Sequence, residues 1–267
     1  MNAIRLYCRY IGISIRSQMQ YRASFAMLAV GHFLATGIEI IGIWALFARF
    51  KSLGGWSLPE VGLFYGLVSV EFALAEGIGR GFDVFPGLVK YGNFDRILLR
   101  PRSTALQVAA AELRLMRIGR LAQGLMVLGW AVAALHVHWT AMRIALMLLT
   151  IIGGAALFYG LFVLHATLAF WTTETLELFN TVTYGGTETG QYPLTIYRPW
   201  FRKFFTFVVP LACVTYFPAL ALLGRDDAVL GSPVWLRWIA PLAGILFMIA
   251  ALQAWKVGVR HYRSTGS

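Results

Sequence analysis

The sequence predicts an all-α integral membrane protein of about six transmembrane helices, preceded by an N-terminal interfacial amphipathic helix. Three observations predict it. Hydrophobic residues make up 58% of the 267 and charged residues 13%, at a mean hydropathy of +0.67, against about 25% charged in an ordinary soluble domain. The apolar residues collect in runs of roughly 20, the length of helix that crosses a bilayer. The basic residues lie between those runs, where they hold helix ends against anionic headgroups.

A single helical membrane domain over 1–267 accounts for these runs. A formal charge of +11 in a soluble protein would suggest an acidic polymer as partner. Its placement between apolar runs points to membrane lipid instead, and no nucleic-acid partner is expected. Cys8 and Cys213 are the only cysteines, too few and too far apart for a disulfide framework or a cysteine metal site.

Residues 1–23 are not a cleavable signal, because arginines run through them and no uninterrupted apolar core precedes a small-residue cleavage site. At about 100° per residue, Arg5, Arg9 and Arg16 fall on one side of a helix and Ile4, Tyr7, Ile11 and Ile15 on the other, the pattern of a helix lying in the membrane surface. Spans are then expected at Ser24–Ala48, Leu58–Ile78, Leu121–Leu135, Ile144–Trp171, Phe204–Leu223 and Trp235–Trp255. With the N-terminus in the cytoplasm, 18 of the 23 basic residues fall on the cytoplasmic side and five (Arg49, Lys51, Arg143, Arg225, Arg237) outside, so both termini are expected to be cytoplasmic. The polar segment 80–104, broken by Pro86, Gly87, Gly92 and Pro101, reads as a folded cytoplasmic loop. Thr172–Arg202, with TYGGTETGQYP inside it, reads as a second one. Pro210 and Pro218 fall inside the expected fifth span, where proline removes a backbone donor and kinks the helix.

Several chemistries are excluded by pattern. A nucleotide-binding P-loop needs lysine directly after glycine, and the four lysines follow Phe50, Val89, Arg202 and Trp255. No HExxH or GxSxG pattern occurs. His136 and His138 bracket one residue but have no evident third ligand, so no metal site is expected. Glu39, Glu71 and Glu76 fall in the first two spans, where a carboxylate costs about 2.5–3.5 kcal/mol unless paired or wetted. They read either as the lining of a translocation path or as helix-pairing groups. The GxxxG pairs Gly62/Gly66 and Gly77/Gly81 permit close helix approach.

The segment YGNFDRILLRPRS, Tyr91–Ser103, resembles the loop after the second span in permease subunits of type-2 ATP-binding-cassette exporters of bacteria, with their G-x-x-D-x-x-L-L-R-P run. Ile196–Gly224 is similar to the fifth-span region of the same subgroup. The resemblance implies a half-transporter permease of the bacterial plasma (inner) membrane that pairs with a second permease subunit, identical or related. Each such subunit rests on a separate ATPase, so no catalytic residue and no cofactor is expected in this chain, ATP and magnesium being held by the partner. By position the coupling segment involves Asp83, Lys90, Asp95, Arg96 and Arg100. Family members usually carry short re-entrant helices on the outer side after the fifth span, and Arg225–Pro233 leaves little room for them. Two rival readings are a membrane-embedded lipid-modifying enzyme using Glu112 or His165 as base, and an ion-coupled carrier. The first lacks convergent polar groups and the second lacks visible inverted repeats.

Overall fold

The computed structural model describes residues 9, 12–13, 15–112, 118–172, 176–227 and 229–263. Among them the chain is helical, with one isolated bridge between Leu53 and Trp56. Of the expected interfacial helix, residues 15–19 are helical and end in a turn at Gln20–Tyr21; Ile4, Arg5, Tyr7 and Ile11 lie outside the described residues. The bundle has an upper end, which holds the Lys51–Ser57 turn, and a lower end, which holds Val84–Ser103.

Helix α1 (Arg22–Phe50) rises to the upper end and α2 (Leu58–Asp83) descends. The sequence Ser57-Leu58-Pro59-Glu60 starts α2: both the backbone N–H and the hydroxyl of Ser57 donate to Glu60 Oε2 at 2.8 Å, satisfying donors that a helix start leaves orphaned. Three short helices follow at the lower end, α3 (Phe85–Lys90), α4 (Asp95–Leu98) and α5 (Thr104–Ala109). Then α6 (Ile118–Ala134) rises and α7 (Ala141–Leu168) descends. The second span pairs antiparallel with α6 through two small residues. A Cβ at Gly62 would lie 2.9 Å from Trp130, and one at Gly66 2.8 Å from the Leu128 backbone, so only glycine admits this approach.

The fifth expected span is corrected by the structure. The segment expected as a cytoplasmic loop contains α8 (Leu176–Gly190), continued by a 3₁₀ turn at Leu194–Ile196. Trp56 Nε1 donates to Thr195 Oγ1 at 2.9 Å, so this segment has crossed to the upper end. From there α9 (Pro199–Lys203) and the π-helical turn Phe204–Val208 dip into the bundle, bringing Phe205 within 3.5 Å of a Cβ at Gly186. After Val209 and Pro210 the chain turns through 74°, and α10 (Leu211–Val214) and α11 (Tyr216–Leu223) climb back to place Arg225 on Glu60 at 2.7 Å. Both limbs end at the same end of the bundle, so Pro199–Leu223 is a re-entrant hairpin and not a span. The re-entrant helices thus precede Arg225–Pro233 instead of needing room within it.

The last elements are α12 (Val234–Ile239) and α13 (Leu242–His261), which descends parallel to α7. Four helices, α1, α2 with its extension to Lys90, α7 and α13, are long and apolar enough to cross a membrane alone; α6 is apolar and has 17 residues. With α8 and its extension the chain makes six traverses, and Arg22 and His261 lie at the same, lower, end. Arg198, Arg202 and Lys203 move to the upper end, which among the described residues leaves 12 basic residues on the lower side against eight on the upper. The asymmetry keeps its sign.

Candidate functional site

Two places in the fold gather polar chemistry. The first is the lower-end block α3–α5. Its short helices would not persist alone, and an aromatic cluster holds them. Phe85 and Phe94 are fully buried, edge to face at 5.0 Å; Phe85 lies 4.8 Å from Trp255, Phe94 4.9 Å from Tyr262, and Phe170 5.2 Å from Phe85. Trp255 Nε1 donates to Thr104 Oγ1 at 3.1 Å, and Gln107 Nε2 donates to the carbonyls of Ile97 and Arg102 at 3.2 and 3.1 Å. Outward the block presents Lys90, Tyr91, Arg96, Leu98, Leu99, Arg100 and Arg102, with Leu99 85% exposed.

Of the residues expected to couple to a partner, Lys90, Arg96 and Arg100 are exposed on this block and Asp95 is half-buried. Asp83 is turned into the bundle. It pairs with Arg80, which also reaches Glu76 at 3.6 Å, and His165 Nδ1 of α7 lies 3.8 Å from its other oxygen. This chain of polar side chains ties the lower ends of α2 and α7 together directly above the block. Only Val84 separates α2 from α3, so the block continues α2 with no loop between them.

The second place is inside the bundle. Glu71 is 0% exposed, and neither of its oxygens has a hydrogen-bond partner among the described residues. It faces α7, where a Cβ at Gly154 would overlap its carboxyl carbon, so glycine makes the space it fills. Glu39 of α1 is exposed and accepts from Tyr65 Oη of α2 at 3.1 Å. Beside it, Thr36 Oγ1 donates to Gln123 Oε1 of α6. Across from Glu39, Glu188 of α8 is also exposed, within electrostatic reach of Glu39 and of Arg120, whose guanidinium sits 4.8 Å over the Phe72 ring. The structure therefore brings Glu39 together with two residues that the sequence does not single out, Glu188 and Arg120, and keeps Glu71 and Glu76 apart from them.

The signal for Glu188 is masked by composition. TYGGTETGQYP looks like a turn because of its glycines, yet Thr183, Thr187 and Thr189 each donate their hydroxyl to a carbonyl one turn back, at 3.1, 3.1 and 2.6 Å. That back-bonding satisfies the hydroxyls of Thr183, Thr187 and Thr189, which are buried in the bundle.

The upper end is closed by a clasp. Arg225 pairs with Glu60, stacks 4.4 Å over the Trp56 ring and donates to the Gly55 carbonyl. Arg237 donates to the carbonyls of Arg225 and Ser232. Asp227 accepts from the backbone N–H groups of Val229, Leu230 and Ser232, each at 3.0 Å. Burial alone would raise the Asp227 carboxyl, but these bonds and the Ser232 hydroxyl outweigh it and hold the group below the usual carboxylate range. Among the described residues, no group of three or more His, Cys, Asp or Glu side chains is placed to hold a metal.

A model of the family described as ABC-2 family transporter protein matches residues 33–266. The chain belongs to that family. Comparison with curated proteins and with solved structures gives no match. As an ABC-2 family member it is a multi-pass membrane component of a transporter, not itself the catalytic part.

Proposed function

We propose that this ABC-2 family chain is the transmembrane subunit of an ATP-driven exporter in the bacterial plasma membrane, with its lower end cytoplasmic. The α3–α5 block docks a separate ATPase. A second permease subunit, identical or related, completes the translocation path. The observation that carries this reading is the anchoring of the block: six aromatic rings (Phe82, Phe85, Phe94, Phe170, Trp255 and Tyr262) fix it, while its outer surface is basic with exposed Tyr91, Leu98 and Leu99. A rigid block that is continuous with a spanning helix passes on a push that a loose loop would absorb. In the proposed cycle, ATP binding in the partners draws the blocks together and closes the cytoplasmic side, and α2 carries the movement upward. Lys90, Arg96 and Arg100 meet the ATPase, Asp95 holds the block's geometry, and Asp83 with Arg80 and His165 relays the movement to α7.

The test is co-purification of the ATPase, together with transport-stimulated ATP hydrolysis. Truncating one member of a buried interfacial charge pair costs about 2–5 kcal/mol and a rim charge far less. Arg96→Ala and Arg100→Ala are expected to weaken coupling while the helices still insert. Wild-type coupling in a variant whose residues 85–100 are a Gly/Ser linker would overturn the assignment.

A further inference from the structure

A groove of about 370 Å³ opens on the outside of the bundle near its lower end, where α7, α8 and α13 meet. Leu164 and Leu168 of α7, Trp171 just beyond it, Phe179 of α8, and Ala254 and Val257 of α13 line it. Thr167 lines it too, but its hydroxyl donates to the Val163 carbonyl at 2.7 Å, and the lining presents no polar surface. Trp171 and Val257 are 54% and 48% exposed, so an occupant enters from the surface of the bundle and displaces no core packing.

Below the groove the chemistry changes. Arg260 and His261 follow Val257 at i+3 and i+4, which places both one turn below it on the same face of α13. Both are exposed. The His261 ring lies 5.7 Å from that of Trp171, so the basic end of α13 meets the groove at the indole. His261 Nδ1 donates to the Val257 carbonyl at 2.9 Å, which leaves Nε2 as the nitrogen available to a ligand. A hydrocarbon chain accounts for the groove and an anion for the cations below it, and an indole between the two sits at the depth where tryptophan marks the membrane interface. Basic pockets between spanning helices on the cytoplasmic side take anionic headgroups. We infer that the groove binds an anionic phospholipid of the cytoplasmic leaflet, with one acyl chain between α7 and α13 and the phosphate on Arg260 and His261. The chain abuts Phe179, whose ring stacks 6.1 Å from that of His165, the residue of α7 that lies 3.8 Å from Asp83. An occupied groove therefore backs the contact between α2 and α7. The inference rests on the proposed function only for the leaflet, and lipid binding to the purified chain is unchanged if no ATPase co-purifies.

The probes are palmitoyl-oleoyl phosphatidylglycerol and palmitoyl-oleoyl phosphatidylcholine, which match in chains and differ in charge, each titrated against the full chain in detergent and read by native mass spectrometry. Tighter retention of phosphatidylglycerol is expected. Ala254→Trp, which fills the groove from its lining, is expected to remove that preference. Arg260→Gln is expected to weaken phosphatidylglycerol binding about fivefold, the effect of losing about 1 kcal/mol for one basic side chain at a lipid headgroup, and to leave phosphatidylcholine binding within twofold. The control is Lys256→Gln: Lys256 lies off the groove face, bonds Gln253 Oε1 at 3.1 Å and removes the same charge, and its loss is expected to change neither lipid's binding by more than twofold. Equal affinity of the parent for the two lipids, unchanged preference in Ala254→Trp, or equal losses in Arg260→Gln and Lys256→Gln overturns the inference. So does absence of lipid retention with disulfide formation between cysteines placed at position 257 of two copies, which would mean that a second copy fills the groove.

Discussion

Replacing Phe94 by alanine removes the centre of the lower-end anchor. The ring is fully buried, with Phe85 at 5.0 Å, Tyr262 at 4.9 Å and Phe170 at 5.5 Å. The block meets water, so the hydrophobic term operates in full, unlike between spans in lipid. Truncation of a buried phenylalanine costs about 3–5 kcal/mol. At 1.4 kcal/mol per factor of ten, the lower figure raises local opening of the block about a hundredfold. Opening exposes the backbone after Lys90, Arg96 and Arg102 to trypsin, Arg100 being protected by Pro101. Where opening and closing are fast relative to cleavage, the cleavage rate follows the open population. Limited trypsinolysis of inside-out membrane vesicles should therefore cut Phe94→Ala at these sites about a hundred times faster than the parent. Leu99→Ala, at a side chain 85% exposed, should change the rate by less than about threefold, within the 0.5 kcal/mol usual for surface substitutions. A Phe94→Ala rate within threefold of the parent would refute the claim that the aromatic anchor makes the block rigid.

The hairpin makes a topological prediction. In a background with Cys8 and Cys213 replaced by serine, single cysteines at Ser52 and Ile196 should react with an impermeant thiol reagent from one side of the membrane and a cysteine at Arg96 from the other; labelling of Ile196 with Arg96 would restore the fifth span expected from hydropathy. Gly154→Ala should destabilise the chain by about 1–3 kcal/mol through overpacking against Glu71, read as a lower midpoint of unfolding in detergent, and Glu71→Ala should relieve much of it; no rescue would separate the two residues. Asp227→Ala should cost about 2–3 kcal/mol, since one buried and two half-buried backbone donors lose a charged acceptor. Because its folded value is depressed, Asp227 contributes stability that is fully present above the unfolded value near 3.8 and is lost as pH falls below it through the folded value. The parent should therefore lose stability on acidification below about pH 4 more steeply than Asp227→Asn, and equal slopes would assign the loss to other carboxyls.

Fold class was legible in composition because hydrocarbon admits only segments that satisfy their own backbone and expose apolar side chains, and such segments must be long. α1, α2, α7 and α13 carry that requirement in their own residues, and the basic residues at their ends record the same constraint. The lower-end block was legible as a folded loop from its prolines and glycines, and its family from Tyr91–Ser103. Other features were decided only by packing. α8 contains Thr183, Glu188 and two adjacent glycines, and it is helical because α2 and α7 cover its polar face and its threonines bond their own backbone. Phe204–Leu223 is as apolar as a span, yet it folds back at Pro210 because Arg225 must reach Glu60 and Trp56 at the end from which it started. Hydropathy measures the cost of one segment in lipid and carries no information on which end of the bundle the next residue is tied to. Glu39 and Glu188 are 149 positions apart in the chain and come within electrostatic reach of each other only once the bundle has formed.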